Sequence, residues 1–299
     1  MTAAAVAPRG ARVWLLAARP ATLPAAIVPV LVGTAAALHG GRELRVGPFL
    51  AALIASLLIQ IGTNFANDLS DFLKGADTAD RLGPMRVTQT GLVTPREVLV
   101  ATCLTFGAAA LIGLYLISIA GWPILLIGVL CILAGILYTG GPWPYGYHSL
   151  GDLICFLFFG VLAVVGSAYV QTLSVSPLVL WASIPTGLLV TAILIVNNLR
   201  DIDTDRSVRK RTLAVLIGAR NTRIEYFACV IGAFAVPLIV YLQGLSGPWF
   251  WLPWLSAPLA VWLLRYVSRT SGRPLNKALK RTGQLHLAFG VLFAASLWL

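Results

Sequence analysis

The chain has 299 residues, 58% of them hydrophobic and only 11% charged, with a mean hydropathy of +0.86 and a formal net charge of +11. Soluble domains carry about 25% charged residues, so this composition excludes a soluble globular protein and points to a bilayer. The basic residues are scattered over short polar segments between apolar runs, which gives nucleic-acid binding no support.

Runs of about 20 apolar residues mark membrane spans. Nine are expected, near 21–38, 47–66, 97–118, 122–138, 152–171, 178–197, 224–243, 248–264 and 283–299. They occupy most of the chain, so residues 1–299 read as a single integral-membrane domain. The expected fold class is an all-α membrane protein, a bundle of about nine transmembrane helices, with residues 1–13 as a disordered tail. Arg9, Arg12 and Arg19 precede the first run, a pattern unlike a cleavable signal peptide. With the N-terminus in the cytoplasm, every Lys and Arg except Arg42 and Arg45 falls on the cytoplasmic side. The expected location is therefore a bacterial cell membrane, N-terminus in and C-terminus out. Arg265, Arg269, Arg273, Lys277 and Lys280 on that side suit the attraction of anionic lipid headgroups, so membrane lipids are expected partners.

The second run ends in a polar stretch over residues 60–86. Asn64, Asp68 and Asp71 are spaced i, i+4, i+7 and share one face of a helix, and Asp77 and Asp80 follow. Carboxylates clustered at the mouth of a span are costly to keep, which favours function over a solvated helix end. Thr94, Pro95 and Glu97 read as a capping box that starts the third helix. Tyr138, Tyr145 and Tyr147 flank a Gly-Gly-Pro loop, where an interfacial belt and a chemical role are both open. The sixth run holds Pro185, a source of a kink, and ends in a second polar stretch over 196–213. There Asn198, Asp201 and Asp205 fall at i, i+3, i+7, followed by Arg209, Lys210 and Arg211. Thr222 and Glu225 read as a second capping box before the seventh helix, and Trp249, Trp251 and Trp254 as an interfacial belt. The two Asp stretches lie four spans apart, so two four-helix halves plus a ninth helix are expected, with both stretches on one membrane side. Magnesium takes carboxylate and amide oxygens, keeps waters and shares phosphates; two facing carboxylate arms suit metal ions that clamp a diphosphate. Cys103, Cys131, Cys155 and Cys229 lie inside apolar runs without metal-ligand spacing and read as packing residues.

Several spaced motifs occur in a set order: Asn64, Asn67, Asp68, Asp71, Gly75 and Asp77; Asp80, Arg81, Gly83, Pro84 and Arg86; Tyr138 to Pro142; Gly151 and Asp152; then Asn197, Asn198, Arg200, Asp201 and Asp205 with Lys210 to Leu213. On these the chain resembles the UbiA superfamily of intramembrane aromatic prenyltransferases over roughly residues 14–297. Within it the chain is most similar to the menaquinone-pathway branch, which acts on 1,4-dihydroxy-2-naphthoate. One departure stands out: the superfamily often has a third Asp four residues after the second, where this chain has Gly75, with Asp77 two residues later.

The resemblance implies Mg²⁺-dependent transfer of a polyprenyl group from polyprenyl diphosphate to dihydroxynaphthoate, with loss of its carboxylate. It implies Asp68, Asp71, Asp77, Asp201 and Asp205 as metal ligands, with Asn67 and Asn198 beside them in the catalytic set. Asn64, Arg86, Lys210 and Arg211 are expected at the diphosphate, with Arg81 and Lys74 there or offsetting neighbouring Asp charge. Arg19 and Tyr138 are expected at the aromatic acceptor, and Asp152 there or capping a loop. Another acceptor, 4-hydroxybenzoate or homogentisate, and more distantly an ion-coupled transporter, are the other readings.

Overall fold

The computed structural model describes residues 10–75, 82–83 and 86–299. Among them the chain is all-helical. Ten α-helices run α1 Ala11–Ala18, α2 Pro24–Leu38, α3 Val46–Leu73, α4 Pro95–Ala120, α5 Trp122–Leu137, α6 Gly151–Thr172, α7 Pro177–Ser207, α8 Leu213–Leu242, α9 Ala257–Arg269 and α10 Leu275–Trp298. Five of them, α3, α4, α6, α7 and α8, are long and apolar enough to cross a membrane. The pair α1 and α2, bent by 51°, makes a sixth if counted as one span. The chain is thus a multi-pass membrane protein.

The nine expected runs all fall on helical structure, but length and apolarity do not reproduce nine spans. Helix α2 has 15 residues, α5 has 16, and the eighth run divides between a 3-10 segment, Pro248–Ser256, and the 13-residue α9. Helix α10 opens on Asn276, Lys277, Lys280 and Arg281, too polar for the same criterion.

Local chemistry fixes most boundaries. The Thr94 hydroxyl accepts the Glu97 N–H at 3.3 Å and the Glu97 carboxylate accepts the Thr94 N–H at 2.8 Å, the expected capping box. Ser176 and Thr212 cap α7 and α8, each accepting the N–H three residues on at 3.4 Å. Two expectations are corrected. Residues 11–13, read as tail, begin α1. Thr222 and Glu225 do not start a helix. Thr212 caps the first part of α8, the chain leaves helical geometry at Gly218 (φ 77°, ψ 166°), and the second part of α8 follows that kink, so Thr222 and Glu225 lie inside it. The Thr222 hydroxyl instead donates to the Gly218 carbonyl at 2.9 Å.

The packing sets α3 along α4, α7 along α8, and α10 against α2. The main core joins α2, α6, α7, α8 and α10 through Val28, Val164, Leu189, Tyr226, Phe289 and Phe293. Within α6, residues Phe156–Leu162 are wound as a wide π turn, a form common near functional sites. There Gly160 meets Gly187 of α7 so closely that a Cβ on Gly160 would lie 2.5 Å from the Gly187 Cα. Helix α5 is held far more loosely, with only Ile124 and Gly135 buried.

Candidate active site

The last turns of α3 form the first arm. Asn64 Nδ2 donates to the Ala18 carbonyl and to Thr22 Oγ1, both at 3.0 Å, and so ties the break between α1 and α2 to this helix. Asn67 Oδ1 accepts from the Thr139 hydroxyl at 2.9 Å. Asp68 is buried and its two oxygens accept the backbone N–H groups of Val87 and Thr88 at 3.2 and 3.3 Å. Asp71, one turn on, accepts from Arg86 Nη2 at 2.6 Å and from the Tyr147 hydroxyl at 2.9 Å. Lys74 Nζ donates to the carbonyls of Thr139 and Gly141 at 2.6 and 3.3 Å. Partial burial lowers its pKa, against which the Asp71 charge pulls upward.

The second arm is the end of α7. The Arg200 side chain is fully enclosed and forks onto Asp201, Nε to Oδ1 at 2.7 Å and Nη2 to Oδ2 at 2.5 Å. It also donates to Asn197 Oδ1 at 2.9 Å and to Asn276 Oδ1 of α10 at 2.7 Å. Asn276 in turn donates to the Leu82 carbonyl at 2.8 Å, which joins α10 to the segment after α3. Lys210 Nζ stands 3.4 Å from Asp205 Oδ1. Every described Asp of the two arms named so far is therefore held by a cation or by backbone amides.

Between the arms lies a cavity of about 490 Å³. Its polar end is lined by Asn64, Asn67, Asp71, Arg86, Asn197, Asp201, Asp205 and Lys210, with Arg19, Tyr138 and Tyr145 beside them. The rest of the wall is apolar and includes Ala110, Leu114, Leu125 and Val129 of α4 and α5, which are also exposed on the outside of the bundle. Tyr138 and Tyr145 meet edge to face at 5.4 Å, and burial raises the pKa of the Tyr145 phenol. Arg19 reaches the cavity from a left-handed backbone position (φ 51°), with its carbonyl held by the Thr22 hydroxyl at 2.9 Å.

The structure thus brings Asp71, Asp201, Asp205, Asn64, Asn67, Arg86, Lys210, Arg19 and Tyr138 to one cavity. Asp68, Asn198, Lys74, Arg211 and Asp152 are not part of its wall. Asp68 anchors the segment at Val87, and Lys74 pins the loop at 139–141. Arg211 faces a shallow neighbouring hollow with Arg206 and Arg209. Asp152 is buried in the first turn of α6, with its Oδ1 lacking a hydrogen-bond partner. Asp77 and Arg81 lie outside the described residues. Tyr147, Arg200, Asn197, Thr139 and Asn276 are the residues that the sequence reading left out of the site.

Among the described residues no three Asp, Glu, His or Cys side chains converge on a point that could hold a metal by themselves. Asp205 Oδ2, on the cavity wall, and Asn198 Oδ1, on the same helix but not on the wall, are buried without a hydrogen-bond partner. Such oxygens, few in number and beside Lys210, fit magnesium, which keeps several waters and shares phosphate oxygens.

The fold and cavity together are those of a membrane-embedded helical bundle with an apolar cavity bordered at one end by two arms of Asp, Asn, Lys and Arg, an arrangement chemically suited to an anionic group on a lipid tail. The chain belongs to the UbiA prenyltransferase family, whose model matches residues 26–280. It is 40% identical to "1,4-dihydroxy-2-naphthoate octaprenyltransferase" of Escherichia coli (strain K12), covering 96% of this chain and 95% of that one. It is also 40% identical to the protein of the same name from Mycobacterium tuberculosis, covering 95% and 96%. Its fold matches a UbiA homolog from Archaeoglobus fulgidus, solved with DMAPP and Mg²⁺, at a TM-score of 0.64 and 13% identity over 94% of this chain and 99% of that one.

Proposed function

We propose that the protein transfers a polyprenyl group from polyprenyl diphosphate to 1,4-dihydroxy-2-naphthoate with decarboxylation, giving demethylmenaquinol in menaquinone biosynthesis. The observation that carries this is the polar mouth, where carboxylates and cations of both arms face one apolar cavity; the naphthoate comes from the names of the relatives. Asp71, Asp201 and Asp205, with Asn67 and Asn198, would hold Mg²⁺, and Asp68 and Asp77 belong to the same proposed set. The metal supplies charge neutralisation of the departing diphosphate. Arg86, Lys210 and Arg211 take its oxygens, Arg in bidentate fashion. Arg86 and Lys210 are paired here with Asp71 and Asp205. Substrate binding then exchanges each internal ion pair for one with the ligand, so little buried charge is ever left unmatched.

In the reaction the allylic C–O bond breaks and its electron pair leaves on the diphosphate. An electron-rich ring carbon forms the new C–C bond, and the acceptor's carboxylate departs as CO₂, returning its bonding pair to the ring. The faces of Tyr138 and Tyr145 stabilise the allylic cation in a cavity that excludes water. Arg19 meets the acceptor carboxylate.

Turnover of the purified protein in lipid, with one polyprenyl diphosphate and a panel of aromatic acids, tests this. Dihydroxynaphthoate is expected to be strongly preferred, and equal turnover of 4-hydroxybenzoate would move the protein to another branch. Diphosphates of several chain lengths are expected to serve, since the cavity opens onto the outside of α4 and α5. Arg19→Ala is expected to raise the KM of the acceptor and leave that of the diphosphate. An effect confined to the diphosphate reassigns Arg19 to the leaving group.

The same reading places the protein in the bacterial cell membrane with nine crossings, the N-terminus and both arms facing the cytoplasm. The excess of Lys and Arg on one side supports it. Cysteines introduced at Gly75 and Arg209 are expected to react with impermeant reagent from the cytoplasm, and cysteines at Gly41 or Gly247 from outside. Reaction of positions 75 and 209 from opposite sides would end the shared-site argument.

A further inference from the structure

The geometry points to Tyr147 as the positioning residue that holds the two arms in register; only the task of the arms rests on the prenyl-transfer reading. Tyr147 belongs to neither arm. It sits in a single 3-10 turn, Tyr145–Tyr147, in the connection between α5 and α6. Its hydroxyl donates to Asp71 Oδ1 at 2.9 Å. The Lys74 ammonium stands 5.3 Å from its ring centroid and the Lys210 ammonium 5.4 Å. Its carbonyl accepts the Arg211 N–H at 3.1 Å, and the nearby Ser149 hydroxyl donates to the Arg211 carbonyl at 2.7 Å. Asp71 and Lys74 close α3; Lys210 and Arg211 follow α7. One side chain and its turn therefore engage both arms.

The contacts divide the work. The hydroxyl occupies one Asp71 oxygen and leaves the other to Arg86, which fixes the carboxylate's orientation. The ring seats two ammonium groups that would otherwise repel each other, because the negative face of an aromatic ring attracts cations. Lys210 is also the partner of Asp205. Loss of the ring would let Lys210 shift, and with it the charge balance of the second arm.

Two variants of the full-length protein separate hydroxyl from ring: Tyr147→Phe keeps the ring, and Tyr147→Leu removes both. Hydrogen exchange over residues 205–212 reads the register directly and does not depend on turnover. Tyr147→Leu is expected to speed it about tenfold, with α10 unchanged, and Tyr147→Phe to leave it at the wild-type rate. In the kinetics, Tyr147→Leu is expected to raise the KM for polyprenyl diphosphate about tenfold while the acceptor's KM stays within about twofold. Unchanged exchange in Tyr147→Leu overturns the inference. So does faster exchange spread over the whole bundle, or an equal loss in kcat and both KM values, since either marks a merely structural role. A wild-type protein that turns over no aromatic acid removes the functional reading, and the exchange comparison still decides the role of Tyr147.

Discussion

Chelation is expected to abolish turnover and added Mg²⁺ to restore it, and Asp71→Asn or Asp205→Asn is expected to lower kcat on the order of 10²–10³-fold. The reasoning is electrostatic. Both carboxylates line the polar end of the cavity, one from each arm. The amide keeps the shape and an oxygen for the Tyr147 hydroxyl or for Lys210, but removes the charge that a metal and a departing diphosphate require. Asp68→Ala provides the contrast. Its oxygens hold the Val87 and Thr88 N–H groups, and deleting them leaves two buried donors unsatisfied, at about 1–3 kcal/mol each. Asp68→Ala should therefore lose both turnover and thermal stability. Asp71→Asn should also lower the unfolding midpoint, because its amide N–H₂ faces the buried Arg86 donor, whereas Asp205→Asn, whose Lys210 partner stands at 3.4 Å, loses turnover with the smallest fall in midpoint of the three. Steady-state rates beside thermal unfolding in detergent check both. Near-normal rates in either Asn variant would sink the two-arm mechanism.

Periodicity made the helices readable and left their membrane status harder to read. A hydropathy run near 248–264 looks like a span, yet Pro248 and Pro253 hold its first half in a 3-10 form. The run near 224–243 belongs to the longer of two helical pieces within Leu213–Leu242, which meet at a kink where Gly218 leaves helical geometry. The arms were legible for a physical reason: i, i+4, i+7 spacing on a helix puts Asn64, Asp68 and Asp71 on one side whatever the rest of the chain does. What each carboxylate touches was not legible. Asp68 and Asp71 share a face, but one meets backbone amides and the other the cavity, and that depends on where residues 86–88 return. Tyr147 and Asn276 lie 76 and 205 residues from Asp71, and no local spacing announces contacts across such distances. Arg200 was visible inside the second motif. Its enclosure and its reach to Asn276 were not.

Arg200 is expected to matter more for the fold than any other basic residue described at the site. Its guanidinium is enclosed and makes hydrogen bonds to Asp201, Asn197 and Asn276 through Nε and both terminal nitrogens. Arg200→Leu removes one partner of a buried pair and strands the Asp201 carboxylate, which typically costs about 3–5 kcal/mol. A marked fall in the unfolding midpoint should follow, together with loss of turnover. Arg200→Lys should recover little, because a single ammonium cannot reproduce a planar fork that spans three side chains. The double variant, Arg200→Leu with Asp201→Leu, separates folding from chemistry. Removing both charges of a buried pair is often neutral for stability, so the midpoint should return toward wild type while the protein stays inactive. Wild-type stability in the single Arg200→Leu variant would show that this network does not hold α7 to α10, and an active double variant would take Asp201 out of the reaction.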